Sequence, residues 1–142
     1  MSQKNTARVA ACSCGQLTAS CQGEPVLVSL CHCLSCQRQT GSAYSVGAFF
    51  PRNHVRISGK ARRYTRSSDS GSTVTFYFCR DCGSTVFWEP QRRPEIIGVA
   101  VGAFADPNFP PPSASIFEDL KHIWTQLPDG MKHFRGTMIA DG

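Results

Sequence analysis

The sequence contains no apolar segment that is long enough to cross a membrane. Its longest apolar run, Ile96–Ala105, has about half the length that a spanning helix needs. The first residues, Met1–Ala11, are polar and include no apolar region of the kind found in secretory signals. No internal repeat or low-complexity segment is present. We therefore expect a soluble, cytoplasmic protein that keeps its cysteines reduced.

Charged residues are also scarce, at 18% of 142 residues, and apolar residues make up 41%. This balance is typical of a globular chain of one domain, so residues 1–142 are predicted to form a single domain. The formal net charge of +5 counts every cysteine as a neutral thiol. If seven cysteines bind two zinc ions as thiolates, the net charge falls to about +2. The sequence therefore gives little support to a nucleic-acid partner.

The chain is rich in cysteine, and its spacing favours metal over disulfides. Seven of the eight cysteines lie in three clusters. They are Cys12-Ser-Cys14-Gly15, Cys31-His32-Cys33-Leu34-Ser35-Cys36 and Cys79-Arg80-Asp81-Cys82-Gly83. Two cysteines one or two residues apart place two thiolates on one tight turn, which is half of a tetrahedral zinc site. The three clusters therefore predict more than one metal site.

The first and third clusters share a glycine directly after their last cysteine. Such a glycine lets the turn adopt positive φ, so that backbone N–H groups can point at the sulfurs. The middle cluster has Gln37 at that place. This asymmetry predicts that the outer clusters pair with each other. Four cysteines would then form a closed structural zinc site: Cys12, Cys14, Cys79 and Cys82.

The middle cluster offers three thiolates, Cys31, Cys33 and Cys36, without an evident fourth ligand. Three protein ligands and one open position are typical of a catalytic zinc. The alternative is a second structural site closed by Cys21 or His32. His32 lies between two ligands, so its ring is expected to point away from the metal. Cys21 lies within a predicted strand, where a lone cysteine usually acts as a small core hydrophobe.

The pattern of apolar residues predicts a mainly β fold with antiparallel sheets and few short helices. One helical turn is expected at Ser35–Thr40, ended by Gly41, and a short helix at Ile116–Ile123. Aromatic residues that alternate along the predicted strands are assigned to the core, with a platform for the substrate as the alternative: Phe49, Phe50, Phe76, Phe78, Phe87 and Trp88. The predicted strands are Gln16–Gln22, Val26–Cys31, Tyr44–Phe50, Arg62–Arg66, Thr73–Cys79, Ser84–Trp88 and Ile96–Ala103.

These motifs together resemble the glutathione-dependent formaldehyde-activating enzyme family. The resemblance runs over nearly the whole chain and includes all three cysteine clusters. Its other motifs are Thr40-Gly41-Ser42-Ala43, Ala48-Phe49-Phe50-Pro51, Asp69-Ser70-Gly71, Phe78–Trp88, Val99–Phe104, Ile123-Trp124 and Leu127-Pro128.

The resemblance implies a zinc-binding β-tent fold with one structural and one catalytic zinc per chain. The structural zinc would be held by Cys12, Cys14, Cys79 and Cys82. The catalytic zinc would be held by Cys31, Cys33 and Cys36 and be accessible to substrate. The implied activity joins formaldehyde to glutathione, giving S-(hydroxymethyl)glutathione, and is classed as that of a carbon–sulfur lyase. The expected partners are therefore small molecules rather than nucleic acid or a membrane.

Two further features of the sequence each allow two interpretations. A basic stretch could attract the carboxylates of glutathione or could be a solvated strand face. Thr40 and Gly41 could line the pocket of the middle cluster or simply end a helix. The members of the basic stretch are Arg52, Arg56, Lys60, Arg62, Arg63 and Arg66.

Two other functions compete with a lyase. One is a non-enzymatic zinc-binding module, which a closed second metal site would favour. The other is a thiol or metal sensor in which three cysteines capture a transferable ion.

Overall fold

A computed structural model describes residues 7–68 and 71–138. Within these ranges the chain forms eleven strands and one α-helix, α1 (Leu34–Thr40). Asp69 and Ser70, which belong to one motif of the family resemblance, lie outside the described residues. The strands are β1 (Ala7–Ala11), β2 (Thr18–Gln22), β3 (Leu27–Cys31), β4 (Ser45–Pro51), β5 (Val55–Ser58), β6 (Ala61–Ser67), β7 (Thr73–Cys79), β8 (Thr85–Pro90), β9 (Ile96–Ala100), β10 (Ala114–Ile116) and β11 (Lys132–His133).

The strands form two sheets. The smaller sheet has the order β1-β2-β5, and the larger has the order β11-β10-β3-β4-β9-β8-β7-β6. All pairs are antiparallel except those of β10, which runs parallel to both β3 and β11. The prediction of a mainly β, β-tent fold with antiparallel sheets and few short helices is confirmed. No helix in the described ranges is long and apolar enough to cross a membrane.

All seven predicted strands are present, with ends displaced by a few residues. The last is shorter than predicted, because residues Val101–Phe104 form a 3-10 helix. The sequence did not indicate four strands: β1, β5, β10 and β11. Each is short or carries few β-branched side chains, so its pairing depends on neighbours that are distant in sequence.

The predicted helical turn before Gly41 is confirmed as α1. The Sγ atom of Cys33 caps its first turn by accepting the Cys36 N–H at 3.3 Å. Gly41 ends the helix with φ +70° and donates its N–H to the Gln37 carbonyl at 2.8 Å. The helix predicted at Ile116–Ile123 is wrong. Ile116 ends β10, Phe117 has φ +57°, and only a 3-10 turn, Glu118–Leu120, follows.

The main core lies where the two sheets face each other. Leu17, Ala19 and Cys21 on the side of the smaller sheet belong to the same buried cluster as Phe50 and Val99 of the larger sheet. Cys21 is fully buried there, as predicted for a core residue. Burial raises the pKa of its thiol to about 12, against the opposing charge of Arg8. Cys21 therefore remains a neutral apolar side chain.

Two glycines of the larger sheet make room for the ring of Trp88. A Cβ atom at Gly47 would lie 2.6 Å from Trp88 Cζ2, and one at Gly98 would overlap Trp88 Nε1. Trp88 pairs with Gly98 across β8 and β9. The ring therefore lies close against the backbone of β4 and β9 and contacts Phe49 edge-on, with 6.1 Å between ring centroids.

We expect Gly98→Ala to displace the Trp88 ring and to destabilise the fold by about 1–3 kcal/mol, as overpacking usually does. Thermal unfolding measures the stability. Trp88 fluorescence in a Trp124→Phe background measures the displacement, because the chain has two tryptophans. Gly102→Ala is the matched control, since a Cβ atom there would meet nothing within 4 Å. Equal behaviour of both variants would contradict this packing.

Candidate metal centres and the adjoining cavity

The outer cysteine clusters meet in space. The Sγ atoms of Cys12, Cys14, Cys79 and Cys82 all lie within 4.8 Å of one another. One pair comes from the turn after β1 and the other from the turn between β7 and β8. Gly15 has φ +86° and Gly83 has φ +82°, as the sequence predicts for these turns. This group of cysteines, called here the four-cysteine cluster, therefore joins the two sheets.

Hydrogen-bond donors surround the sulfurs of the four-cysteine cluster. Cys79 Sγ accepts the N–H groups of Asp81 and Cys82 at 3.3 and 3.4 Å and the Gln16 Nε2 amide at 3.0 Å. Burial opposes ionisation of Cys79, but the donors from Gln16, Cys82 and Asp81 outweigh it and lower the pKa of the thiol. Four sulfurs with N–H donors to a thiolate fit a structural zinc site.

Gln16 is a supporting residue that the sequence reasoning missed. Its Nε2 also donates to the Lys60 carbonyl at 2.6 Å, and its Oε1 accepts the Lys60 N–H at 2.9 Å. The side chain therefore ties the cluster to the start of β6. A glutamine two residues after a cysteine carries no recognisable signal, so only the folded structure could identify it.

The middle cluster also converges. The Sγ atoms of Cys31, Cys33 and Cys36 lie within 4.8 Å of one another, and among the described residues no further cysteine, histidine or carboxylate joins this group. Cys31 ends β3, Cys33 caps α1 and Cys36 lies in its first turn. These three residues are called here the three-cysteine cluster. Their sulfurs fit a soft metal ion such as zinc.

The charges of the three-cysteine cluster are unequal. Hydrogen bonds from the thiols of Cys31 and then Cys33 lower the pKa of Cys36 to about 3, and Ser45 and the positive charge of Arg66 act in the same direction. The hydrogen bond between the thiols of Cys31 and Cys33 is the main cause that raises the pKa of Cys31. A thiolate is thus already favoured at Cys36, which is the ionised form that a metal requires.

His32 and Cys21 do not close the three-cysteine cluster. The His32 ring is fully buried on the other side of the chain, and its Nε2 lies 2.8 Å from Ser115 Oγ. Burial lowers its pKa. Cys21 belongs to the main core. The expectation that the His32 ring points away from the metal is consistent with this geometry, and neither residue is near enough to serve as a fourth ligand.

A cavity of about 200 Å³ adjoins the three-cysteine cluster. Besides the three cysteines, its walls include Phe49, Phe76, Trp88 and Arg66. The prediction that the aromatic residues lie in the core is therefore correct only in part. Phe50 and Phe87 do belong to the core, but Phe49, Phe76 and Trp88 face the cavity. Gly47 and Gly98 make room for the Trp88 ring. Glycines within strands are the sequence signal that could have indicated the position of this ring.

Most of the basic stretch does not reach the cavity. Arg52 pairs with Glu89 at 2.8 Å, and Arg56 lies on β5 in the smaller sheet. Arg66 is different, because its Nη2 lies 4.0 Å from Cys36 Sγ and its guanidinium lies over the Phe76 ring, 4.8 Å from the centroid. Of the two interpretations given to this stretch, the solvated face fits Arg56, while Arg66 contributes to the cavity.

A second cavity, of about 760 Å³, lies beside the first and reaches Cys12 and Gly83 of the four-cysteine cluster. Gln39, Ser45 and Trp88 line both cavities. Thr40 lines only the second, and its Oγ1 donates to the Cys36 carbonyl at 2.9 Å. Gly41 lines neither cavity and serves as the helix stop.

Comparison with known proteins agrees with the cysteine pattern. The family model described as glutathione-dependent formaldehyde-activating enzyme matches residues 7–124. A Penicillium rubens protein, provisionally named as such an enzyme, is 26% identical over 125 residues, which are 76% of this chain and 65% of that protein's length. A crystal structure of a Rhodobacter sphaeroides protein has a TM-score of 0.53 at 21% identity, covering 89% of this chain and 98% of the other, and shows a similar fold.

Proposed function

The chain belongs to the glutathione-dependent formaldehyde-activating enzyme family, and on that premise we propose that it is a carbon–sulfur lyase of the S-(hydroxymethyl)glutathione synthase type. One observation carries the proposal. The three-cysteine cluster, with no fourth protein ligand among the described residues, lines a cavity. A purely structural site would have four protein ligands and no need of a cavity.

The proposal includes two zinc ions per chain. Cys12, Cys14, Cys79 and Cys82 would hold the structural ion, and Cys31, Cys33 and Cys36 the catalytic one. When bound in the three-cysteine cluster, zinc supplies a Lewis acid that favours the thiolate form of a substrate thiol at neutral pH. The four-cysteine cluster would fix the two sheets and so the walls of the cavity.

The reaction requires little covalent chemistry from the protein. The sulfur of glutathione adds to the aldehyde carbon, a carbon–sulfur bond forms, and the carbonyl oxygen takes up the proton that the thiol gives up. The lyase direction reverses these steps. The cavity walls would hold the two reactants together, which can supply much of the acceleration. The Arg66 guanidinium would stabilise negative charge that develops on the oxygen.

We propose glutathione and formaldehyde as the small-molecule partners, without nucleic acid or a membrane. A cytoplasmic location is part of the proposal, because seven thiolates require a reducing compartment. Residues 1–142 would act as one zinc-binding domain.

Magnetisation-transfer NMR with ¹³C-formaldehyde and glutathione tests this function. The protein, purified without added metal, should accelerate exchange between free and adduct carbon in proportion to its concentration. Exchange with 2-mercaptoethanol is the matched comparison and should be accelerated less. If exchange stays at the spontaneous rate with both thiols while two metal ions are bound, the proposal is wrong. A binding module would then be the better description, with Ile123 and Trp124, exposed by 96% and 66%, as its candidate contact surface.

A further inference from the structure

The side chain of Arg66 lines a cavity, which a residue on a solvated strand face would not do. Arg66 lies on β6, pairs with Val74 of β7, and turns its guanidinium into the cavity of the three-cysteine cluster. The Phe76 ring supports one face of the guanidinium, and Nη2 lies 4.0 Å from Cys36 Sγ. The cation is therefore held at the reacting end of the cavity, not at its rim.

The hydrogen-bond donors of Arg66 are largely unused within the described residues. Nη1 donates to the Ser67 carbonyl at 3.2 Å, and the contact of Nη2 with the Cys36 sulfur is long. Among the described residues the buried Nε–H group has no partner, and an unsatisfied buried donor is unfavourable. None of the described ion pairs includes Arg66, whereas Arg52 and Arg93 each pair with a glutamate. A guanidinium in this state would gain by receiving a carboxylate, which binds two of its donors at once.

The net charge of the three-cysteine cluster also bears on the kind of substrate that the cavity can accept. Three thiolates around a divalent ion carry one net negative charge, which would repel an anionic reactant. Arg66 compensates for this charge at the place where a reactant would meet Cys36. Arg92 lines the same cavity. Arg66 therefore offsets the negative charge that would otherwise repel a substrate carrying its own negative charge.

The size of the cavity also exceeds the need of formaldehyde. Formaldehyde has two heavy atoms and needs about the space of two water molecules, each of which requires about 10–15 Å³ of cavity volume. The cavity holds about 200 Å³. The cavity is therefore larger than formaldehyde alone requires, and the rest of it is shared between the glutathione thiol and any further group on the reacting carbon.

We propose that Arg66 is a specificity-determining residue that binds a carboxylate attached to the reacting carbon, so that the preferred carbonyl substrate is an α-oxo acid of the glyoxylate type. This inference rests on the proposed function and specifies its substrate class. A carboxylate attached to the reacting carbon would lie beside Cys36 and Arg66, whereas the carboxylates of glutathione lie several bonds from its sulfur. The chemistry is the same addition: the carbon–sulfur bond forms, and the former carbonyl oxygen takes up the thiol proton.

Two stable thioethers of nearly the same shape differ only in whether they carry the negative charge, so they test the effect of that charge alone. S-(carboxymethyl)glutathione carries a carboxylate beside the carbon on sulfur, and S-(carbamoylmethyl)glutathione carries a neutral amide of nearly the same shape. Calorimetric titration of the metal-loaded full chain should show about tenfold or more tighter binding of the carboxylate, because hydrogen bonds to a charged group are stronger than those to a neutral group. Equal affinity of the two ligands would overturn the proposal.

Variants of Arg66 assign the preference to this side chain. Arg66→Gln should abolish the preference, and Arg66→Lys, which keeps the charge without the planar fork, should retain part of it. Arg56→Gln removes the same charge from the smaller sheet and should retain all of it. A preference that persists in Arg66→Gln would contradict the assignment. If that variant does not fold, the comparison of the two ligands on the unaltered chain still decides.

Exchange NMR separates this inference from the proposed function. The unaltered protein should accelerate adduct exchange of glutathione with glyoxylate more than with methylglyoxal, a neutral aldehyde of similar size. Acceleration with formaldehyde but no preference for glyoxylate would overturn the inference and leave the lyase function intact. No acceleration with any of the three aldehydes would overturn both.

Discussion

Replacing Cys36 with serine is expected to reduce turnover of the glutathione adduct by about 10–100-fold or more. Changing an outer partner of a metal site commonly costs about 10–100-fold in affinity or activity, so the loss of one of three ligands should cost no less. The fold should survive, because Cys36 is half-buried in α1 and contributes nothing to the main core. The variant should also contain one bound metal ion per chain, where the unaltered protein contains two.

Three measurements on Cys36→Ser check this prediction. Elemental analysis counts the metal, exchange NMR gives the turnover, and thermal unfolding shows whether the fold is retained. Cys21→Ala is the matched control, since it also removes a thiol but one that lies in the core, away from both clusters. It should keep two metal ions and the activity. Full activity of Cys36→Ser with any true substrate would show that the three-cysteine cluster is not the catalytic site.

The grouping of the cysteines could be predicted from the sequence because each half-site is a local turn. Gly15 and Gly83 have positive φ, and this requirement is visible in the sequence. The absence of such a glycine after Cys36 separated the middle cluster from the other two. The structure brings the same two sets of sulfurs together. Their function as metal ligands stays a prediction that elemental analysis would test.

The walls of the cavity could not be predicted in the same way. Alternation along a strand shows which side chains share a face of the sheet, but not what that face contacts. Phe49 and Phe50 are adjacent in sequence, yet only Phe50 lies in the main core. The parallel pairing of β10 with β3, which brings Ile116 beside Cys31, depends on residues far apart in the chain. Local sequence patterns carry no information about such pairings.

The position of the Arg66 side chain could not be predicted from the sequence either. Six basic residues between positions 52 and 66 look alike in the sequence. The pairing of β6 with β7, followed by that of β7 with β8, decides which of them reaches Cys36, 30 residues earlier. The sequence could therefore predict the grouping of the cysteines, while the position of Arg66 in the cavity depends on long-range strand order.

The largest effect on stability is expected for Cys79→Ser. A structural zinc site can contribute on the order of 10 kcal/mol to folding, and a domain of this kind has a total stability of about 5–15 kcal/mol. Removing one ligand of the four-cysteine cluster should therefore leave little or no net stability, because the cluster joins the turn after β1 to the turn between β7 and β8. Far-UV circular dichroism and thermal unfolding should show the loss of a cooperative transition.

Cys79 is also buried, with 1% of its surface exposed, so a serine there would disturb packing as well as the metal. Cys14→Ser separates the two causes, because Cys14 is exposed and belongs to the same cluster. If the metal supplies the stability, Cys14→Ser should destabilise the chain nearly as much as Cys79→Ser, and a chelator should do the same to the unaltered protein. A stable, cooperatively folded Cys14→Ser variant would mean that packing around Cys79, and not a metal ion, holds the two sheets together.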